Sequence, residues 1–181
     1  MSIGGQIMIR RNALVAAALC AMACLNASAA NTSFTAVSKA SKLEFTGTQA
    51  GAAFTGIFHA YTASVEFDPG APEQAHIDVN IQLASVDSKD KDRDNTIRGP
   101  DIFDTTHFPT AHYSTRSVAK SGDGYSALGA LTLRGVTKDL PIHFRLVSAN
   151  GSARLTGTAK LNRLDFGAGQ GDWKSTEWVA D

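Results

Sequence analysis

The densest run of side chains able to do chemistry is DKDRDNTIRGPD, from Asp90 to Asp101. Counted as a twelve-residue calcium loop, it places Asp90, Asp92 and Asp94 at the first, third and fifth positions and Asp101 at the twelfth, with Ile97 at the eighth. Alternating carboxylates are what a hard dication needs, but the loop also needs glycine at its sixth position and a long Glu at its last. Asn95 and Asp101 stand there instead, and Lys91, Arg93 and Arg98 offset the negative field. The segment therefore reads as a solvated charged crossing or a short helix near residues 90–98.

Other constellations are weaker. His59, His76, His107, His112 and His143 are scattered, with no pair one helical turn apart, so they give no metal site. No G-x-S-x-G elbow occurs, and no serine, histidine and acid can be assembled from spacing. Gly167-Ala168-Gly169-Gln170-Gly171 resembles a phosphate-cradling loop but lacks the strand and helix that would aim it, so it reads as a mobile loop. The reading assigns no catalytic residue, no metal and no cofactor.

The elements around these residues alternate with the period of strands. Ile77, Val79, Ile81 and Leu83 interleave with Asp78, Asn80 and Gln82, one apolar face against one wet face. Similar runs cover Asn31–Thr48, where the alternation is loose, Phe54–Phe67, Pro109–Val118, Tyr125–Leu133, Leu140–Leu146 and Ala153–Leu161. In the long run from Phe54, the three-residue step from Phe58 to Tyr61 predicts a β-bulge near His59 and Ala60. Turn signals stand at Asp68–Pro72, Ser121–Gly124, Gly135–Asp139 and Asn150-Gly151. Residues 166–181 read as a loop leading into a strand that barely begins. Seven or eight short strands without a long amphipathic helix predict an all-β, antiparallel sandwich or barrel. Small residues on apolar faces, Ala127, Gly129, Gly157 and Ala159, leave room inside, so a solid core and a hollow one both stay open.

Composition narrows the function. The formal net charge of zero argues against a nucleic-acid partner. Arg10 and Arg11, the apolar run from Ala13 to Leu25 and the small-residue pattern Ala27-Ser28-Ala29 predict a signal peptide over residues 1–29. Its apolar run is too short to span a bilayer, which takes about 20 residues. Both cysteines, Cys20 and Cys24, lie in that segment, so the exported chain would carry no thiol and a net charge of −2. The expectation is a domain over 30–181, periplasmic, with no integral membrane segment after cleavage.

With these residues set out, the chain resembles the YceI family of exported, lipocalin-like, polyisoprenoid-binding bacterial proteins. The matching pieces, in order, are Gly56-Ile57-Phe58 with Tyr61, Ser85-Val86-Asp87-Ser88, Arg93-Asp94, Ile97-Arg98, Asp101-Ile102-Phe103-Asp104, Phe108-Pro109 and the hairpin Gly129–Lys138. Thr96, Ile102 and Asp139 depart from the usual His, aromatic residue and Pro. The family also usually continues past this point with a closing apolar strand, so the resemblance implies a domain lacking its last strand.

The resemblance implies an extended antiparallel lipocalin-like barrel of about eight strands, often a homodimer, holding a long-chain isoprenoid or quinone-like lipid. Strand phase then names Phe54, Phe58, Val79, Ile81, Phe103, Phe108, Leu131, Phe144 and Trp173 as lining. Arg93, Asp94 and Arg98 are expected to hold the charged crossing in place, with headgroup contact the lesser role. Two rivals are an enzyme or redox-chain accessory acting on quinone or isoprenoid, with His59 the nearest titratable group, and a stress-induced scaffold partner of a membrane b-type cytochrome.

Overall fold

Strands with one apolar face, laid side by side, must cover that face, and here the sheet does so by curling on itself. The computed structural model describes residues 1–11, 32–36, 41–149, 152–177 and 179–181. Among these, β1 (Ser2–Arg11), β2 (Thr32–Ala36), β3 (Lys42–Gln49), β4 (Ala52–Phe58), β5 (Tyr61–Phe67) and β6 (His76–Gln82) precede a short β7 (Val86–Asp87). Helix α1 (Lys91–Arg98) follows, then β8 (Thr110–Ser121), β9 (Gly124–Leu133), β10 (Val136–Ala149) and β11 (Ser152–Lys160). The apolar run Ala13–Leu25, the pattern Ala27-Ser28-Ala29, the turn Asn150-Gly151 and Trp178 lie outside the described residues.

All pairings are antiparallel, and eight strands close a ring in the order β1, β11, β10, β9, β8, β6, β5, β2 and back to β1. The closing member is β1, from the segment expected to be a leader. One of its edges runs against β11 from Ser2↔Lys160 to Arg10↔Ser152. Its other edge is shared, β3 taking Ser2–Gln6 and β2 taking Ile9–Arg11. Strands β3, β4 and β7 form a wing beside the ring.

The predicted bulge at His59 and Ala60 is instead a corner between two strands with different neighbours. β4 pairs with β3 and β7, whereas β5 pairs with β2 and β6. The backbone groups at the corner are satisfied by the turn before β7: His59 N–H donates to Ser85 O, Ala60 N–H to Ser85 Oγ, and Gln82 N–H to Ala60 O. The turn expected across Gly135–Asp139 is tighter than its sequence suggests. Arg134 and Gly135 alone make it, both left-handed at φ 50° and 73°, and β10 begins at Val136.

The inward residues form two clusters along the barrel. Phe45, Phe58, Leu83, Ile97, Phe103, Leu133 and Phe166 pack at the end covered by α1. Phe34, Val65, Phe67, Ala127, Phe144 and Leu155 pack at the other. Val79 touches both. No helix among the described residues is long and apolar enough to cross a membrane.

Close packing predicts where the wall tolerates no added atom. A Cβ on Gly129 would stand 2.5 Å from the Tyr113 ring and 2.6 Å from Ser114 O, whereas one on Gly4 would meet nothing closer than Thr158 Cγ2 at 3.9 Å. Gly129→Ala is expected to lower stability by about 1–3 kcal/mol. Gly4→Ala should leave it nearly unchanged. Urea unfolding midpoints of the two variants check the contrast.

Candidate functional site

Where the two clusters meet, the barrel holds a cavity of about 110 Å³ whose wall is almost entirely apolar. Period-two alternation aims its lining inward. β6 supplies Ile77, Val79 and Ile81, and β10 supplies Leu140, Ile142 and Phe144. Register aligns the rest, since Val79 stands opposite Tyr113 and Tyr113 opposite Leu131. Ile3 and Ile7 of β1, Leu43 of β3, Val65 of β5 and Leu155 of β11 are also part of the wall. Tyr113 brings the one phenol to this wall, its hydroxyl 3.4 Å from Leu140 O. Burial pushes its pKa up to about 12.

A second void, about 270 Å³, opens at the end beneath α1. Phe45, Phe54, Ile97, Ile102, Phe103 and Trp173 give it apolar sides, and Asp90, Asp92, Arg93 and Thr96 of α1 stand among its polar lining. Met1 and Phe45 line this mouth while Ile3 and Leu43 line the inner cavity. Residues two apart share a strand face, so the two voids follow one another along the same interior.

The charged crossing is a scaffold for that mouth. Asp90 caps α1 by accepting from the N–H groups of Asp92 and Arg93, which satisfies two donors the helix leaves open. Asp94, only 7% exposed, accepts from the N–H of Ser88 at 2.8 Å and its hydroxyl at 2.7 Å. Arg93 donates to Ser88 Oγ and Ser88 O and lies over the Phe54 ring at 4.4 Å. Arg98 donates to Ala84 O and Val86 O, tying the helix to the wing. The acidic residues that resemble calcium ligands are thus a helix cap and a buried anchor.

The glycine stretch 167–171 is not a free loop. Arg163, 4% exposed, donates to the carbonyls of Ala168, Trp173, Ser175, Val179 and Ala180. Burial lowers its pKa from the ordinary guanidinium value. The chain passes so close that a Cβ on Gly169 would collide with the Arg163 guanidinium, and Gly167, Gly169 and Gly171 all take positive φ. The glycines serve a cation inside the protein, which their spacing alone does not reveal.

Of the residues named from strand phase, Val79, Ile81, Leu131 and Phe144 line the inner cavity, and Phe54, Phe103 and Trp173 line the mouth. Phe58 and Phe108 border neither void. Phe58 is filled in on both sides by Phe45 and Phe103. Phe108 packs under Gly135 and beside Arg134, away from the tube. The reading missed Tyr113, Leu140, Ile142 and Leu155, which the alternation in their strands could have supplied. Ile3 and Ile7 also line the inner cavity, although they lie in the segment whose sequence predicts a leader.

His59, His107 and His112 are paired with carboxylates on the outside. His59 lies 3.1 Å from Asp87, His107 2.8 Å from Asp104 and His112 2.7 Å from Asp78. The His59 hydrogen bond, helped by Lys89, holds Asp87 well below the usual carboxylate range. His59 is exposed and does not face the tube, so it is not placed to act on anything inside.

A profile of the YceI-like domain matches residues 34–181. The chain belongs to the YceI family. Among curated relatives, a UPF0312 protein of Yersinia pestis is 37% identical over 91 residues, covering 50% of this chain and 47% of that one. A UPF0312 protein of Azotobacter vinelandii is 34% identical over 119 residues, 62% of each chain. The YceI chain thus spans about half to three-fifths of the length of these relatives. BcnA of Burkholderia cenocepacia superposes with a TM-score of 0.75 at 28% identity, over 77% of this chain and 89% of that one. A Campylobacter jejuni YceI protein gives 0.53 at 29% identity, over 61% and 69%.

The buried phenol carries a pH dependence. Its folded pKa lies above the unfolded value of about 10, so its contribution to stability is complete below pH 10 and is lost as pH rises through about 12. Tyr113→Phe should therefore lose less stability between pH 10 and 12 than the parent. Urea midpoints measured across that window check it.

Proposed function

We propose that this chain binds a long-chain isoprenoid-type lipid, polyprenyl or quinone-like, with the apolar chain along the interior and the polar end at the mouth beneath α1. The observation that carries this reading is the sequence of two voids along one apolar face, the inner one walled by aliphatic and aromatic side chains. Family membership supports it, because the YceI resemblance implies a polyisoprenoid ligand.

The physics needs few polar contacts. Each methylene removed from water contributes about 0.8 kcal/mol, so a long chain gains affinity by enclosure alone. At the mouth, Arg93 already satisfies part of its guanidinium on Ser88 and stacks on Phe54, leaving a positioned cation where the lipid's polar end would emerge. Among the described residues, the Tyr113 phenol is the titratable group that lines the inner cavity, and it is neutral at ordinary pH. The function we propose is carriage or storage of that lipid. Export to the periplasm, through a leader ending at Ala29, belongs to the same proposal; its removal takes β1 from the wall and leaves the lining from β3, β5, β6 and β8–β11.

Mild purification followed by lipid extraction and mass spectrometry is expected to yield a long-chain isoprenoid, and the emptied protein should bind an added fluorescent polyprenol. Leu131→Asp, which puts a carboxylate into the inner cavity, should weaken that binding at least about tenfold, about 1.4 kcal/mol, in protein that circular dichroism shows to be folded. Absence of both a co-purifying lipid and binding of the added one would overturn the reading.

A further inference from the structure

The inner cavity stops at one level of the barrel. On β10 its lining runs through Leu140, Ile142 and Phe144 and then ends, a depth of about 13 Å along the strand. The other strands stop with it. Val65 of β5, Tyr113 of β8 and Leu131 of β9 border the cavity, whereas Phe67, Val118 and Ala127 of the same strands are buried in the cluster away from α1 and border no part of it.

Three rings make the floor. Phe144 stacks on Tyr125 with centroids 5.4 Å apart, and Phe67 meets both edge-on, at 4.7 Å from Tyr125 and 6.0 Å from Phe144. These are the arrangements aromatic rings prefer, so each ring fixes the other two. Tyr125 and Phe144 are cross-strand neighbours on β9 and β10, but Phe67 comes from β5, with β6 and β8 between it and β9 in the ring of strands. The contact therefore spans the interior. None of β5, β9 and β10 pairs with β1, so the floor does not rest on the segment expected to be a leader.

An apolar tail gains about fourfold in affinity for each methylene that leaves water, so a tube without a floor would favour ever longer lipids. A fixed floor ends that gain, because units added after the tail touches it stay outside the tube. Building on the lipid-binding reading, we propose that Phe144, held by Phe67 and Tyr125, is the stop that the end of the tail meets, and that it sets the chain length this protein selects. The head of the lipid lies beneath α1, its terminal methyl groups lie against Phe144, and longer tails gain nothing further from enclosure.

Binding of geraniol, farnesol, geranylgeraniol and solanesol to the full chain, measured by displacement of a fluorescent polyprenol, tests the stop. For the parent, affinity is expected to rise at least about tenfold per added isoprene unit up to a break, and less than about twofold per unit beyond it. Phe144→Ala, which removes more carbon than one isoprene unit holds, should move the break to a longer chain. Phe144→Leu, the milder change, should move it the same way by less, and Ile142→Phe, which raises the floor toward the mouth, should move it to a shorter chain. Phe54→Ala, at the mouth, should weaken all four alcohols alike. Circular dichroism confirms that each variant compared is folded. The proposal is overturned if the affinity of the parent climbs without a break through solanesol, or if the break stays at one chain length in the Phe144 and Ile142 variants. Binding without a break removes the stop and leaves the lipid-binding reading standing, whereas a parent that binds none of the alcohols removes both.

Discussion

Backbone pairing along both edges of one strand decides whether this sheet is a tube or an open curved slab. β1 meets β11 over nine registered residues on one side and β3 and β2 on the other. Each hydrogen bond of such a ladder is worth only about 0.5–1.5 kcal/mol net, but an unpaired edge leaves its donors and acceptors facing water or a neighbouring chain. Closure also sets the geometry of the interior. It brings Ile3 and Ile7 opposite the aliphatic wall from β6, β9 and β10, and so determines how much of the tube is hollow.

The mouth is built by a different interaction, charged side chains spent on the chain's own carbonyls. Arg98 holds Ala84 and Val86, Arg134 holds Pro100 and Ile102, and Arg163 gathers five carbonyls from the segment 168–180. A planar guanidinium with several fixed donors suits this work better than an ammonium group. Irregular segments without a partner strand are thereby ordered around one end of the barrel, and α1 is seated across it by Asp94 and Ser88. Asp90, Asp94 and Arg98 of the crossing, which look like ligand-binding groups in sequence, are consumed in positioning.

Much of this was legible in the residues. Period-two alternation located most of the strands between Lys42 and Lys160, and the charged run near residues 90–98, open to reading as a short helix, is α1. The same phase put Val79, Ile81, Leu131 and Phe144 on the inner wall. What alternation cannot convey is which face of an aromatic is already covered. Phe58 has the right phase but is enclosed by two other rings, and Phe108 lies where a turn, not a strand, directs it. The glycines around Arg163 answer a contact between residues brought together only by folding. β1 was missed for another reason: the features that mark a leader, a basic pair beside a short apolar run, say nothing about how the residues before them pair.

The central claim is that an apolar chain lies inside the tube with its polar end beneath α1. Photo-crosslinking with a polyprenyl probe carrying a diazirine near its hydrocarbon end, mapped by peptide mass spectrometry, tests this directly. The account predicts adducts on inward residues such as Leu131, Tyr113 and Ile142. Adducts confined to exposed outer residues such as Leu128 and Val147 would contradict it.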